Sequence, residues 1–190
     1  MAANNIPTAL VIFFFFLDLM TKKITPAIFN LFTKGKLPKL FRLIGYARRP
    51  LTDEQFRDHV SHILRANKHL KHSRKEIDSF LKCFFYKQGR FEAQKDYKSL
   101  ARDLGRVDEQ WRVCSNKLFY TAVPPEYYQM IFQNLHDSGL TIPCGPEEGW
   151  TRVLVEKPFG KDAKTAERLD LKLAQLFKEE QIYRIDHYLA

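Results

Sequence analysis

Trp150-Thr-Arg-Val-Leu-Val-Glu-Lys-Pro-Phe-Gly160 is the stretch whose reading decides the fold. Its centre, Val153-Leu154-Val155, is a short apolar run rich in β-branched residues and stopped by Pro158 and Gly160, which predicts a buried strand. Asp162 then stands where a helix N-cap is needed. Ala163, Ala166, Leu169, Leu173, Leu176 and Phe177 recur at helical spacing, and Glu167, Arg168, Asp170 and Lys172 fill the other side. Gln181-Ile-Tyr-Arg-Ile185 predicts a second strand, ending in Asp186-His187-Tyr188. Strand, helix, strand is the unit that builds parallel sheets, and ligands of such sheets sit at the carboxyl ends of the strands.

The rest of the chain repeats the alternation. Strands are expected at 10–13, 42–45, 84–86 and 118–122, beside those at 153–156 and 182–185. Thr52 and Gln55 can form a capping box, with Phe56, Val60, Ile63 and Leu64 as the buried stripe of the helix that follows. Leu100 and Leu104 belong to another helix. Pro125 suits a first helical turn, with Tyr128, Ile131, Phe132 and Leu135 on the apolar side behind it. Gly139 to Gly149 reads as a loop.

Composition narrows the class. A chain of 190 residues, 45% hydrophobic and 28% charged, can hold one domain with a real core. A net charge of +9 favours anionic partners. The basic run Arg65 to Lys75 is the best nucleic-acid candidate, yet it has no aromatic residue to stack on bases; a solvated helix end and loop is expected, and no nucleic-acid partner. Cys83, Cys114 and Cys144 are odd in number, far apart and without a C-x-x-C pattern, so separate thiols in a reducing cytoplasm are expected. The apolar run Ala9 to Leu17 is roughly half of the ~20 residues that span a bilayer, and no basic residue precedes it, so neither a membrane span nor a secretory signal is expected.

The two carboxyl strand ends, Glu156-Lys157-Pro158-Phe159-Gly160 and Arg184-Ile185-Asp186-His187-Tyr188-Leu189, together resemble the glucose-6-phosphate dehydrogenase family. Asn116-Lys-Leu-Phe-Tyr120-Thr-Ala-Val123-Pro124-Pro125 resembles a further motif of that family, and the resemblance covers nearly the whole chain. It implies an α/β fold, a doubly wound, mostly parallel, Rossmann-like sheet that binds NADP, spanning about residues 8–188. It also implies a family reaction, oxidation of glucose 6-phosphate at C1 to the lactone in the pentose phosphate pathway, in a cytoplasmic homo-oligomer. The family's chain is longer, and its C-terminal substrate and oligomerisation domain is expected to be absent here.

By the same resemblance, residues acquire roles. Arg48 follows the second strand, where an arginine accommodates the 2′-phosphate of NADP. Tyr120 lies near the cofactor, and Lys157 sits between sugar phosphate and nicotinamide. His187 and Tyr188 grip the substrate phosphate, a cation and a hydroxyl suited to a dianion. Asp186 orients a general-base histidine that this chain lacks. Adjacent strand residues point to opposite faces, so Asp186 and His187 do not form a dyad.

One family motif is broken. The phosphate turn Gly-x-x-Gly-Asp-Leu corresponds to Phe14-Phe15-Phe16-Leu17-Asp18-Leu19; Asp18 and Leu19 match, as does Lys23 beyond them, and both glycines are gone. Glycines there permit positive φ and let backbone amides approach a pyrophosphate. Two lost charged contacts at roughly 1.5–3 kcal/mol each lower affinity ~100-fold or more. An error confined to these residues, a decayed non-binding copy, and a working but unusual turn all remain open. With turn and base both defective, the chain is expected to turn over poorly and to aggregate through an uncovered sheet face. The rival reading from another class is a non-catalytic basic binding module for nucleic acid or a protein partner.

Overall fold

Apolar runs in this chain form strands because their side chains are buried on both faces of one sheet. In the computed structural model, which describes residues 6–14, 20–67, 72–145, 148–157, 159 and 162–185, the strands are β1 (Thr8–Phe14), β2 (Phe41–Ala47), β3 (Phe84–Gln88), β4 (Asn116–Ala122), β5 (Thr151–Glu156) and β6 (Ile182–Ile185). They form one sheet in the order β3-β2-β1-β4-β5-β6, and every described pair is parallel. The order reverses between β1 and β4, which opens a crevice at the carboxyl edge of the sheet.

Helices cover the two faces unequally. On one face α1 (Thr25–Thr33), α2 (Asp53–Ala66) and α3 (Arg74–Leu81) pack Ile28, Phe29, Phe56, Val60, Leu64 and Phe80 against Leu10, Ile12, Phe14, Leu43 and Phe84. On the other, α4 (Gln94–Trp111), α5 (Tyr128–Asp137) and α6 (Ala163–Leu176) pack Leu100, Leu104, Ile131, Phe132, Leu169 and Leu173 against Val11, Phe13, Phe119, Val153 and Val155. Each buried side chain of this size contributes about 1.5–3 kcal/mol. The α1–α3 layer lies over β1, β2 and β3. Leu118 of β4, Leu154 of β5 and Ile185 of β6 point to the same face and are only partly buried.

Local signals behave as their chemistry demands. Thr52 and Gln55 close the expected capping box on α2, and Asp162 caps α6 with Thr165 as its reciprocal partner. Pro125 opens a single 3-10 turn, Pro125–Tyr127, ahead of α5. The basic run is corrected in part: its end belongs to α3, where Ser73 and Glu76 form a third capping box, and Arg65 pairs with Asp78 at 3.2 Å. The expected first strand, 10–13, is longer at both ends: it starts at Thr8 and its last member is Phe14, which is 2% exposed. β3 ends the sheet, and α2 reaches across it: Asp53 Oδ1 accepts the Tyr86 N–H at 2.6 Å and Arg57 Nε donates to the Phe84 carbonyl at 2.8 Å.

The expectation of separate thiols is corrected for two of the three cysteines. Cys114 and Cys144 form a disulfide with Cα atoms 6.3 Å apart, while Cys83 is free. The segments carrying them are remote in sequence but converge at the amino edge of β4 and β5. There the backbone of Gly149 lies so close to Ser115 that a Cβ would sit 2.2 Å from the Ser115 carbonyl oxygen. Among the described residues, no helix is long and apolar enough to cross a membrane.

Candidate active site at the carboxyl edge

Strand ends decide what the edge can do. β2 delivers Arg48, exposed, one residue beyond its last pairing with β3. The backbone that holds it is braced from β3: Gln88 Nε2 donates to the Arg48 carbonyl at 3.2 Å, and Tyr86 Oη donates to the Arg49 carbonyl at 2.5 Å and the Ala47 carbonyl at 3.3 Å. Burial pushes the Tyr86 hydroxyl up to about 12, so it stays a donor throughout the physiological range.

β4 and β5 deliver a buried polar pair. Tyr120 pairs with Leu154, and Glu156 is two residues further along β5 on the same face. The Tyr120 hydroxyl donates to Glu156 Oε1 in a short hydrogen bond, and both residues are under a tenth exposed. Tyr128 Oη, from the start of α5, donates to the Glu156 carbonyl at 3.3 Å, and Thr121 Oγ1 donates to the Leu154 carbonyl at 2.9 Å. Burial first, then the Glu156 carboxyl, raises the Tyr120 hydroxyl far above the ordinary tyrosine range; Tyr128 is pushed up to about 12 by the same two causes. Lys157 follows directly. It is exposed, and its N–H donates to the Ile185 carbonyl at 3.1 Å, tying the exit of β5 to that of β6.

The edge of β1 differs. Phe14, aligned with the first glycine of the turn, is packed inward: its ring stacks on Phe56 at 6.1 Å and lies 6.5 Å from Tyr86. Gly45 makes room for it, because a Cβ there would lie 2.9 Å from Phe14 and 2.6 Å from Phe56. Lys23 is exposed on the helical turn Met20–Ile24 that leads into α1. Lys23, Ile24, Ile28, Leu118, Tyr120 and Leu154 line one mainly apolar groove of about 740 Å³ over the uncovered half of the sheet.

The structure therefore brings Arg48, Tyr120 and Lys157 to one edge, with Lys23 and Tyr120 sharing a groove. Asp18, Leu19, Asp186, His187 and Tyr188 lie outside the described residues, as do Phe15 to Leu17 and Pro158. Sequence reasoning missed Glu156, Tyr86 and Gln88. For Glu156 a signal existed, since period-two alternation along β5 sets it on the face of Leu154 and hence beside Tyr120. Tyr86 and Gln88 act through contacts between strands that only the register reveals.

Comparison with known proteins agrees with this fold. Residues 11–190 match the family model described as glucose-6-phosphate dehydrogenase, NAD binding domain. The chain is 37% identical over 173 residues to glucose-6-phosphate 1-dehydrogenase of Schizosaccharomyces pombe, covering 91% of this chain and 33% of that one. It is 39% identical over 190 residues to the Chlamydia muridarum enzyme of the same name, covering 97% and 37%. A solved glucose-6-phosphate dehydrogenase in complex with its substrate glucose-6-phosphate superimposes with a TM-score of 0.84 at 33% identity, over 100% of this chain and 38% of the other. The chain thus spans about a third of the length of the curated relatives it matches.

Proposed function

The chain belongs to the glucose-6-phosphate dehydrogenase family, and from that premise we propose that its carboxyl edge holds NADP beside glucose 6-phosphate. The observation that carries this reading is that two exposed cations, Arg48 after β2 and Lys157 after β5, stand at the same carboxyl edge as the buried Tyr120–Glu156 pair. Both ligands are anionic, and cations at strand ends are the chemistry they need.

The ribose end of the site fits the cofactor: an exposed guanidinium stands at the end of β2 on a backbone braced by Tyr86 and Gln88. Arg48 holds the 2′-phosphate and so selects NADP over NAD. Bound NADP supplies the hydride acceptor. Tyr120, fixed by Glu156, forms the floor near the nicotinamide. Lys157 reaches toward both ligands from the end of β5. His187 and Tyr188 grip the sugar phosphate, and Asp186 serves to orient the family's general-base histidine, which none of the histidines of this chain matches. Lys23, Asp18 and Leu19 complete the turn on the pyrophosphate side. Partnership in a homo-oligomer and a place in the cytoplasm follow the family in the same way.

The turn weakens this site without moving it. With Phe14 committed to β1 and Leu17 in place of the second glycine, cofactor affinity is expected ~100-fold below that of a glycine turn. The test is calorimetric titration of NADP and NAD into the protein, and into a variant carrying Phe14→Gly, Phe15→Ala, Phe16→Thr and Leu17→Gly. The variant should bind NADP more tightly, and Arg48→Ala within it should cost ~10–100-fold in NADP affinity while sparing NAD. Equal preference before and after the Arg48 change would remove this role.

A further inference from the structure

At the amino edge of the sheet, away from the proposed cofactor site, two sulfurs and one ammonium share a small polar cluster. Cys114 precedes β4, and Cys144 lies in the loop between α5 and β5. Lys117 Nζ, on a side chain only 11% exposed, lies 3.8 Å from Cys114 Sγ and 4.0 Å from Cys144 Sγ. Asp108 of α4 holds that ammonium at 2.7 Å through Oδ2, and its Oδ1 takes the Ser115 N–H at 3.0 Å. The Ser115 carbonyl accepts a further hydrogen bond from Lys117 at 3.3 Å.

We propose that Cys114 and Cys144 form a thiol–disulfide exchange site, with Lys117 as its built-in cation and Cys144 as the sulfur that meets the incoming disulfide. Three observations divide the roles. Cys144 is exposed and Cys114 half-buried, so an incoming reagent reaches Cys144 first. The Lys117 ammonium favours the anionic, attacking form of both sulfurs, while the Asp108 carboxylate, which accepts from Cys114 Sγ at 3.7 Å, holds Cys114 back as a thiol. Cys83, by contrast, is held between sheet and helix, where burial pushes its thiol up, and it has no sulfur partner.

The exchange balances with any small disulfide as oxidant. The Cys144 thiolate attacks one sulfur of the reagent, its S–S bond breaks, and one reagent thiolate leaves. The Cys114 thiolate then attacks Cys144 Sγ, forming the protein disulfide and releasing the second reagent thiolate. Two protein thiols are oxidised, one reagent disulfide is reduced to two thiols, and the two protons go to the departing thiolates. A metal ion is the competing occupant, since Asp108, Cys114 and Cys144 offer ligand atoms within 4.8 Å of one another. Lys117 already places a positive charge there, 3.8 and 4.0 Å from the two sulfurs, which disfavours a second cation.

Closing the pair ties a segment of sequence separation 30, so it constrains the unfolded chain. The test equilibrates the full chain in glutathione buffers of rising oxidised fraction, then reads thiol count in denaturant, mass and melting temperature. Two of the three thiols should disappear together with a loss of about 2 Da, and the melting temperature should rise by ~10 °C. Cys114→Ser should arrest the reaction as a glutathione adduct on Cys144. Lys117→Met should slow the first step about three- to tenfold, and Lys117→Arg should restore most of the rate. Three thiols persisting in the folded protein at the most oxidising ratio would overturn the proposal. So would tight binding of one zinc ion by the reduced protein with protection of both sulfurs from glutathione.

Discussion

β1 and β5 reach the same edge of the sheet and end in opposite chemistry. At the end of β5 the chain buries Glu156, whose carboxyl accepts from the Tyr120 hydroxyl and whose backbone carbonyl accepts from the Tyr128 hydroxyl. At the end of β1 it buries an aromatic ring, stacked on Phe56 over Gly45. A strand that ends in satisfied polar groups is fixed in place and still presents its next residue, Lys157, to solvent. A strand that ends in a core ring spends its last residue on packing. The difference teaches that two parts of one sheet edge can be built separately: the β4–β5 part keeps a buried polar floor while the end of β1 serves stability.

The largest effect should come from the ring. Phe14→Ala is expected to cost about 3–5 kcal/mol in urea unfolding, as for a fully buried phenylalanine. A loss below ~1 kcal/mol would break the comparison, because the end of β1 would then behave as a loop. The polar end should be next. Tyr120→Phe leaves a buried carboxyl oxygen short of a partner and should cost about 2–3 kcal/mol, most of it absent in a Glu156→Gln background. Full additivity of the two changes in a double-mutant cycle would mean that the pair is not coupled.

Gly45→Ala sharpens the contrast, because only the β1 side should feel it. A Cβ at 45 crowds Phe56 and Phe14, so about 1–2 kcal/mol is expected, with partial relief when Phe14→Ala is also present. The smallest effect is confined to alkali. The Tyr128 hydroxyl titrates at about 12 in the folded state and near 10 when unfolded, so the folded state holds its proton longer. Its contribution is complete below about pH 10 and is lost as pH rises toward 12. Wild type and Tyr128→Phe should therefore converge in stability between those pH values; a constant difference would place the Tyr128 contribution elsewhere.

What could be read in advance followed from periodicity and caps. The apolar runs of β1, β2, β4 and β5 need burial on both faces, and Thr52 and Asp162 announce the helices behind them, so sheet and layers were legible. Ser73 and Glu76 carry an equally clear capping signal for α3, set inside a run of lysines and arginines whose charge suits a solvated loop equally well. The cations of the site were legible because they stand directly after strand ends. The role of Glu156 needs more than alternation along β5, since its partner Tyr120 is remote in sequence and meets it through the register of β4 on β5. The Cys114–Cys144 contact was invisible for a related reason: the approach of Gly149 to Ser115 is a backbone event with no side-chain pattern.

The outer rim of β3 has a consequence for how these molecules meet one another. A bare sheet rim is a template on which any extended chain can lay itself down, and such additions propagate. Here Asp53 and Arg57 already hold an amide and a carbonyl of that rim. An arriving strand would have to displace both before it could dock. Replacing the two by alanine would expose the template while leaving every ligand contact proposed above untouched, so that the first symptom would be turbidity at high concentration with cofactor binding unchanged.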